Sequence, residues 1–303
     1  MSRKNGKAVS RVLIADDDPV IRHWITSILE AEGYGVVSMS DGRDAYRFLQ
    51  GDANFAGAVF DMTMPHLDGA DLIRHMRTEK RLMRIPVMLI TAETDIKLVA
   101  SGFAAGATIL LPKPFTRNRL QQMLRMMLGA QAVSEPTSPT TALPTLRRKA
   151  LNSWSEEKRG IASLTSASTA EREHREAGPS AEGPVNVSLL LNLEDNDGSV
   201  DENLVVELIE LYLENGSRQV NEIKTAAGNM REETLKHTAH ALKGSSLTMG
   251  ASRVGQLCAE LEQENIRNSD SIGKLMQKLE TAFELTGEIF NAERRKRLTP
   301  VAA

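Results

Sequence analysis

The sequence predicts two folds in one chain: an α/β domain built on a doubly wound parallel sheet, and behind it an all-α helix bundle. Three observations carry this reading. Up to about residue 130, short apolar runs alternate with helical periodicities five times over. From about Gln131 to Pro184 that periodicity gives way to Ser, Thr, Pro, Ala, Glu and Arg. From Val185 onward strand signals stop and only helical spacing remains.

Val12-Leu-Ile-Ala15 is the first apolar run and reads as strand one. In the Asp16-Asp17-Asp18-Pro19 that follows, Asp18 is placed to cap a helix with Pro19 at its first position, where a missing N–H costs nothing. Val20, Ile21, Trp24, Ile25, Ile28 and Leu29 recur at helical spacing, and Gly33 closes the element. Gly35 to Met39 reads as strand two and Arg43 to Gln50 as helix two; Ala58 to Phe60 is strand three and Ala70 to Arg77 helix three. Val87 to Ile90 and Thr108 to Leu111 are strands four and five, followed by helices near Asp95 to Ala104 and Arg117 to Leu128. Five such units imply a parallel sheet with helices on both faces.

Residues 131–185 read as a flexible linker, with a helix-compatible stretch at Leu146 to Leu164 that contains Trp154. A flexible coil of roughly 55 residues has an r.m.s. span of about 40 Å, enough for the two modules of one chain to meet. Beyond it, Leu204, Val205, Leu208, Ile209 and Tyr212 make one amphipathic helix and Val220, Ile223 and Ala227 sit on another. Glu232 to Met249, Ala251 to Asn265 and Ser271 to about Arg294 follow. Short connections such as Met249-Gly250 favour antiparallel neighbours and hence a bundle. The expected domains are residues 1–130, the linker 131–185, a helical domain over 186–298 and a tail at 299–303.

The 303 residues suffice for two cores, and 41% hydrophobic with 25% charged content is ordinary for globular protein. A net charge of −3 leaves no electrostatic footprint for nucleic acid or an anionic membrane. Cys258 is the only cysteine, which excludes an internal disulfide and fits a reducing compartment. No apolar run reaches the roughly 20 residues needed to span a bilayer. The expected location is the cytoplasm.

In a doubly wound sheet the carboxyl ends of the strands face one edge. That edge would gather Asp16 and Asp17 after strand one, Asp61 after strand three, Thr91 after strand four and Lys113 after strand five. Three carboxylates at close quarters repel unless a cation sits among them, and an all-oxygen donor set selects a hard ion, Mg²⁺ above all. A metal, a nucleophilic carboxylate, a hydroxyl and an ammonium together suit an incoming phosphoryl group, which Asp61 would accept. Asp18, Asp41, Asp44 and Asp68 read as caps and turn formers.

These residues resemble response-regulator receiver domains. Asp16 and Asp17, the stretch Asp61-Met-Thr-Met-Pro-His-Leu-Asp-Gly69, Thr91 followed by small Ala92, and Lys113-Pro114 all match the pattern, as do the intervals between them. The resemblance covers nearly all of residues 10–130. It implies a flavodoxin-like (βα)5 fold, phosphorylation of Asp61, Mg²⁺ held by Asp16, Asp17, Asp61 and the Thr63 backbone carbonyl, and a phosphoryl group bound by Thr91 and Lys113. Leu110 departs from the pattern, standing where receivers usually carry an aromatic residue. Pro112, just before the lysine, is expected to reshape the end of the last strand.

In the helical half, His240, Lys243 and Gly244 are spaced i, i+3, i+4 and share one helix face. Lys243 would neutralise charge on a phosphoryl group carried by the imidazole, and Gly244 keeps that face flat for an approaching protein. Neutral imidazole is the nucleophile required, and an exposed histidine near its reference pKa of about 6.5 is largely neutral at pH 7. His237, one turn earlier, reads as an ordinary polar helix residue, and Cys258 as core. His240-Ala-Leu-Lys-Gly244, with Ser245, Ser246 and Leu257 to Glu262, resembles the histidine-phosphotransfer (HPt) domain over roughly residues 186–295. The resemblance implies a four-helix bundle whose second helix carries His240 as a phosphoryl carrier.

The combination implies a two-component phosphorelay protein exchanging phosphoryl groups with a sensor histidine kinase, a hybrid kinase included, and with other receiver or HPt proteins. No Gly-rich nucleotide loop is present in the sequence, so a phosphoryl carrier rather than an ATP-using kinase is expected. An aspartate-nucleophile phosphatase would place a second acid two residues after the nucleophile, where this chain has Thr63. A merely docking bundle would tolerate replacement of His240. The direction of phosphoryl flow, and whether Asp61 and His240 exchange within one chain, stay open at this level.

Overall fold

The computed structural model describes residues 10–92, 96–129, 185–186 and 201–298. The expected linker up to residue 184, the tail, the stretch around Trp154 and the start of the fourth helix at Asp95 lie outside the described residues.

The first domain alternates strands and helices: β1 (Arg11–Ala15), α1 (Pro19–Ala31), β2 (Gly35–Met39), α2 (Gly42–Gly51), β3 (Gly57–Asp61), α3 (Gly69–Thr78), β4 (Val87–Thr91), α4 (Ile96–Ala105), β5 (Ile109–Pro112) and α5 (Arg117–Gly129). All strand pairs are parallel, in the order β2-β1-β3-β4-β5. This is the flavodoxin-like arrangement, in which the order reverses between β1 and β3. Alternate strand residues feed two apolar layers. Val12, Ile14, Val59 and Ile90 pack with α1 and α5 on one face; Leu13, Ala58, Phe60 and Leu89 pack with α2 and α3 on the other.

The termini of these elements follow the expected chemistry. Asp18 caps α1 by accepting from the Val20 N–H at 2.8 Å, with Pro19 at the first position. Asp41 caps α2 from the Arg43 N–H at 2.6 Å. Pro112 leaves the ladder intact rather than reshaping it: it pairs opposite Thr91, and the next N–H, of Lys113, donates to the Thr91 carbonyl at 2.7 Å. A proline is tolerated there because β5 is an edge strand. Leu110, in the aromatic's place, is buried among the α3-side apolar residues.

The second domain comprises α6 (Glu202–Gly228), α7 (Glu232–Thr248), α8 (Ser252–Gln263) and α9 (Ser269–Leu298). The helices α6 and α8 each pack against both α7 and α9, closing a four-helix bundle. The two helical segments expected over Leu204 to Tyr212 and Val220 to Ala227 are one continuous helix, α6. Gly216 is no break. A Cβ there would stand 2.5 Å from the Phe283 ring of α9, so the glycine admits an aromatic ring directly onto the helix backbone. Tyr212 fills the same layer, edge-on to Phe290 with ring centroids 5.4 Å apart and bonded to the buried Ser246 hydroxyl at 2.9 Å.

Candidate functional site

The carboxyl ends of β1 and β3 put Asp16, Asp17 and Asp61 together, with one carboxylate oxygen from each lying within 4.8 Å of the others. Asp16 and Asp61 are buried. Their cation is Lys113 at the end of β5, whose Nζ donates to Asp61 Oδ2 at 3.1 Å and to Asp16 Oδ2 at 3.4 Å. Thr91 is fully buried at the end of β4, beside Asp61's pairing partner Ile90. Thus four of the strand ends deliver the predicted groups to one edge.

Local backbone chemistry fixes Asp61. The Met62 N–H donates to its Oδ1 at 2.8 Å and to the Ile90 carbonyl at 2.7 Å, tying the loop after Asp61 to β4. The loop then folds back through His66, at φ 66, until the Gly69 N–H donates to the Met62 carbonyl at 3.0 Å. A side chain at Gly69 would collide with Asp61's own carbonyl, so this close approach requires glycine. Thr63 lies in that loop, two residues beyond Asp61.

Burial dominates the electrostatics. It pushes the Asp61 carboxyl up to about 7, against the opposing pull of Lys113 and with Asp16 and Asp17 adding to the rise. Asp17 is likewise raised to about 7 by burial and then by Asp16. Lys113 is held above its ordinary value: burial opposes its charge, but Asp16, Asp61 and Asp18 outweigh that. One ammonium among these carboxylates leaves excess negative charge in a buried pocket. Such a donor set of hard oxygens fits a divalent cation such as Mg²⁺.

His240 and Lys243 occupy adjacent positions on α7, the second helix of the bundle. A residue overlooked at the level of sequence organises them: Glu262 on α8. Its Oε1 stands 3.1 Å from His240 Nδ1, and its Oε2 accepts from Lys243 Nζ at 2.5 Å. Burial raises the Glu262 carboxyl, but the contacts with His240 and Lys243 outweigh it and leave the group below its ordinary range. Lys243 Nζ also lies 3.4 Å from the same Nδ1, so the carboxylate and the ammonium both meet the ring at this nitrogen. Glu262 was visible only as the end of the Leu257–Glu262 stretch, with nothing in the spacing to pair it with His240.

The two constellations face each other. His237, read from sequence as an ordinary polar residue, has its Nε2 3.8 Å from Asp17 Oδ2. A Cβ on Gly244 would stand 3.5 Å from Lys113 Cδ.

The family model described as "Response regulator receiver domain" matches residues 12–125, and the one described as "Hpt domain" matches residues 207–292. The chain is 34% identical over 122 residues to the transcriptional regulatory protein TctD of Salmonella typhimurium, spanning 40% of this chain and 53% of TctD. It is 31% identical over 120 residues to the chemotaxis protein CheY1 of Helicobacter pylori, spanning 40% of this chain and 97% of CheY1. Among solved structures it is similar to the chemotaxis response regulator CheY4 of Vibrio cholerae, at 32% identity and a TM-score of 0.38, covering 40% of this chain and 99% of that one. The chain spans about half the length of TctD, 53%. Among the described residues no helix is long and apolar enough to cross a membrane. With its receiver signature converged on one sheet edge and its histidine signature on the second helix of a bundle, the chain belongs to the response-regulator receiver family and carries an Hpt domain behind the receiver.

Proposed function

We propose that this chain is a two-component phosphorelay protein in which Asp61 accepts a phosphoryl group and His240 carries one. The observation that carries the reading is the pairing of buried Asp61 with Lys113 inside the Asp16–Asp17–Asp61 cluster. A carboxylate in that setting has a cation ready to offset charge on phosphoryl oxygens, and neighbouring acids to recruit a metal. Asp16, Asp17, Asp61 and the Thr63 carbonyl are the residues that would hold Mg²⁺, which supplies charge neutralisation at phosphorus when bound. An oxygen of Asp61 attacks phosphorus; the Lys113 ammonium and the Thr91 hydroxyl bind the oxygens of the transferred group.

On the bundle, Nε2 of His240 is the nucleophile, Glu262 holds Nδ1 and Lys243 stands beside the ring. The donors and acceptors that suit these two sites are a sensor histidine kinase, hybrid or simple, and other receiver or HPt proteins. The receiver spans residues 1–130, joined by the linker 131–185 to the HPt domain 186–298 and the tail 299–303. The bond from the Asn186 N–H to the Gly250 carbonyl, 2.8 Å, supports an HPt domain that begins at that residue.

Labelling with a small acyl-phosphate donor and Mg²⁺ tests the reading. The His240→Gln chain is expected to take a base-labile aspartyl phosphate, and the Asp61→Asn chain to lose it. A His240→Gln chain that takes no Mg²⁺-dependent label would overturn the receiver function.

A further inference from the structure

We infer that the two modules of one chain form a closed exchange pair, in which α1 of the receiver docks on α6 and α7 and His240 takes the phosphoryl group directly from Asp61 of the same chain. The inference rests on the phosphorelay reading and adds its route.

Helix α1 packs along α6 and touches α7. The apolar layer of the sheet on the α1 side is continuous with the bundle core: Val20, Ile21 and Trp24 belong to the same buried cluster as Val205, Leu208 and Ile209. Burial of that kind, roughly 25 cal/mol per Å² of apolar surface, is the ordinary driving force for a lasting contact. At its rim His23 Nε2 meets Glu207 Oε2 at 3.0 Å. Toward the site the contact turns polar, with His237 against Asp17 and the buried Ser245 beside the α1 cap Asp18.

Gly244 lets the two chemical faces close. Its missing side chain leaves the α7 backbone against the Lys113 stem, one turn from His240. Both acceptors are covered: the His240 side chain is 13% exposed and that of Asp61 5%. In this arrangement neither is open to a third protein, so trade with outside partners requires α1 and α6 to separate. Exchange within the chain requires no such opening.

The step balances without a proton transfer. The Nε2 lone pair of neutral His240 forms the N–P bond while the P–O bond to Asp61 breaks, and the electron pair leaves with the Asp61 carboxylate. The positive charge gained by the ring is offset by Glu262 at Nδ1, and Lys113 stands ready to pair with the released carboxylate.

The test compares the wild-type chain with an equimolar mixture of full-length Asp61→Asn and His240→Gln chains, each lacking one acceptor. Both are given a small acyl-phosphate donor and Mg²⁺, and phosphohistidine is followed by rapid quench. Expected are a wild-type rate unchanged on about tenfold dilution of protein, and a mixture at least about tenfold slower whose rate falls with dilution. A mixture as fast as wild type, or a wild-type rate that falls in proportion to dilution, overturns the inference. Aspartyl phosphate without phosphohistidine in wild type overturns it too while leaving the receiver function standing. Loss of label from Asp61 in the His240→Gln chain removes both.

Discussion

Glu262 links two residues of α7: one oxygen lies 3.1 Å from His240 Nδ1 and the other accepts from Lys243 Nζ at 2.5 Å. A single carboxylate on α8 therefore meets both the imidazole and the ammonium beside it. Glu262→Ala removes both constraints. Phosphohistidine formation is expected to fall about tenfold, equivalent to roughly 1.4 kcal/mol, with aspartyl phosphate on Asp61 unchanged. The imidazole ¹⁵N spectrum provides a readout that a merely structural loss would not move. It should show Nδ1–H as the dominant tautomer in wild type and a mixture in the variant. An unchanged tautomer and rate would remove Glu262 from its positioning role.

Lys113 supplies the cation in a pocket of carboxylates, with its side chain only 4% exposed. Lys113→Met leaves Asp16 and Asp61 buried without it. Removing one partner of a buried pair typically costs about 3–5 kcal/mol. In chelator, thermal unfolding of Lys113→Met should begin well below that of wild type. Mg²⁺ should recover a larger share of stability in the variant, because a metal replaces the lost charge. Equal stabilisation of both chains by Mg²⁺ would contradict a shared electrostatic pocket.

The same pocket sets a pH dependence. The carboxyls of Asp61 and Asp17 rise from 3.8 to about 7 in the folded chain, chiefly through burial. The folded state then binds protons more tightly than the unfolded one, so stability is greatest below the unfolded value and declines as pH rises from about 4 through about 7. Lys113 is charged in both states across that window and adds no slope. In chelator the chain should melt at a lower temperature at about pH 8 than at about pH 5.5, by an amount on the order of a few kcal/mol in stability. Mg²⁺ must displace those protons, so its stabilising effect should grow over the same interval. A chelated chain that gains stability toward alkaline pH would refute this assignment of charge.

The convergence of Asp16, Asp17, Asp61, Thr91 and Lys113 was legible in sequence because parallel strands place every carboxyl end on one edge, whatever the helices between them do. The register then needed only the apolar runs, and element ends moved by a residue or two. Contacts between helices were less legible. Helical spacing says which residues share a face, but not what covers it, so Glu262 carried no sign of its partner on α7. His237 looked like a solvated polar residue because its partner, Asp17, belongs to another domain. The two segments of α6 looked like separate helices, since helical spacing does not show that Gly216 between them admits the Phe283 ring of α9.

Gly244 joins the two chemistries, and its substitution separates their requirements. A Cβ at this position would meet Lys113 Cδ at 3.5 Å and Nζ at 3.7 Å, which is ordinary van der Waals contact. Gly244→Ala therefore fits the docked arrangement. It should also raise thermal stability by up to about 1 kcal/mol, because alanine costs the helix interior less than glycine does. Exchange from Asp61 to His240 should persist at close to the wild-type rate. Gly244→Leu adds a branched end that the Lys113 stem has no room to accept, forcing α7 away from the sheet edge. In that variant label on Asp61 should still form from a small acyl phosphate, while phosphohistidine falls at least about tenfold. The Ala and Leu variants thus differ in reach rather than in chemistry, since neither adds a titratable or nucleophilic group. Wild-type exchange in Gly244→Leu would mean that α7 does not close on Lys113 when the phosphoryl group moves.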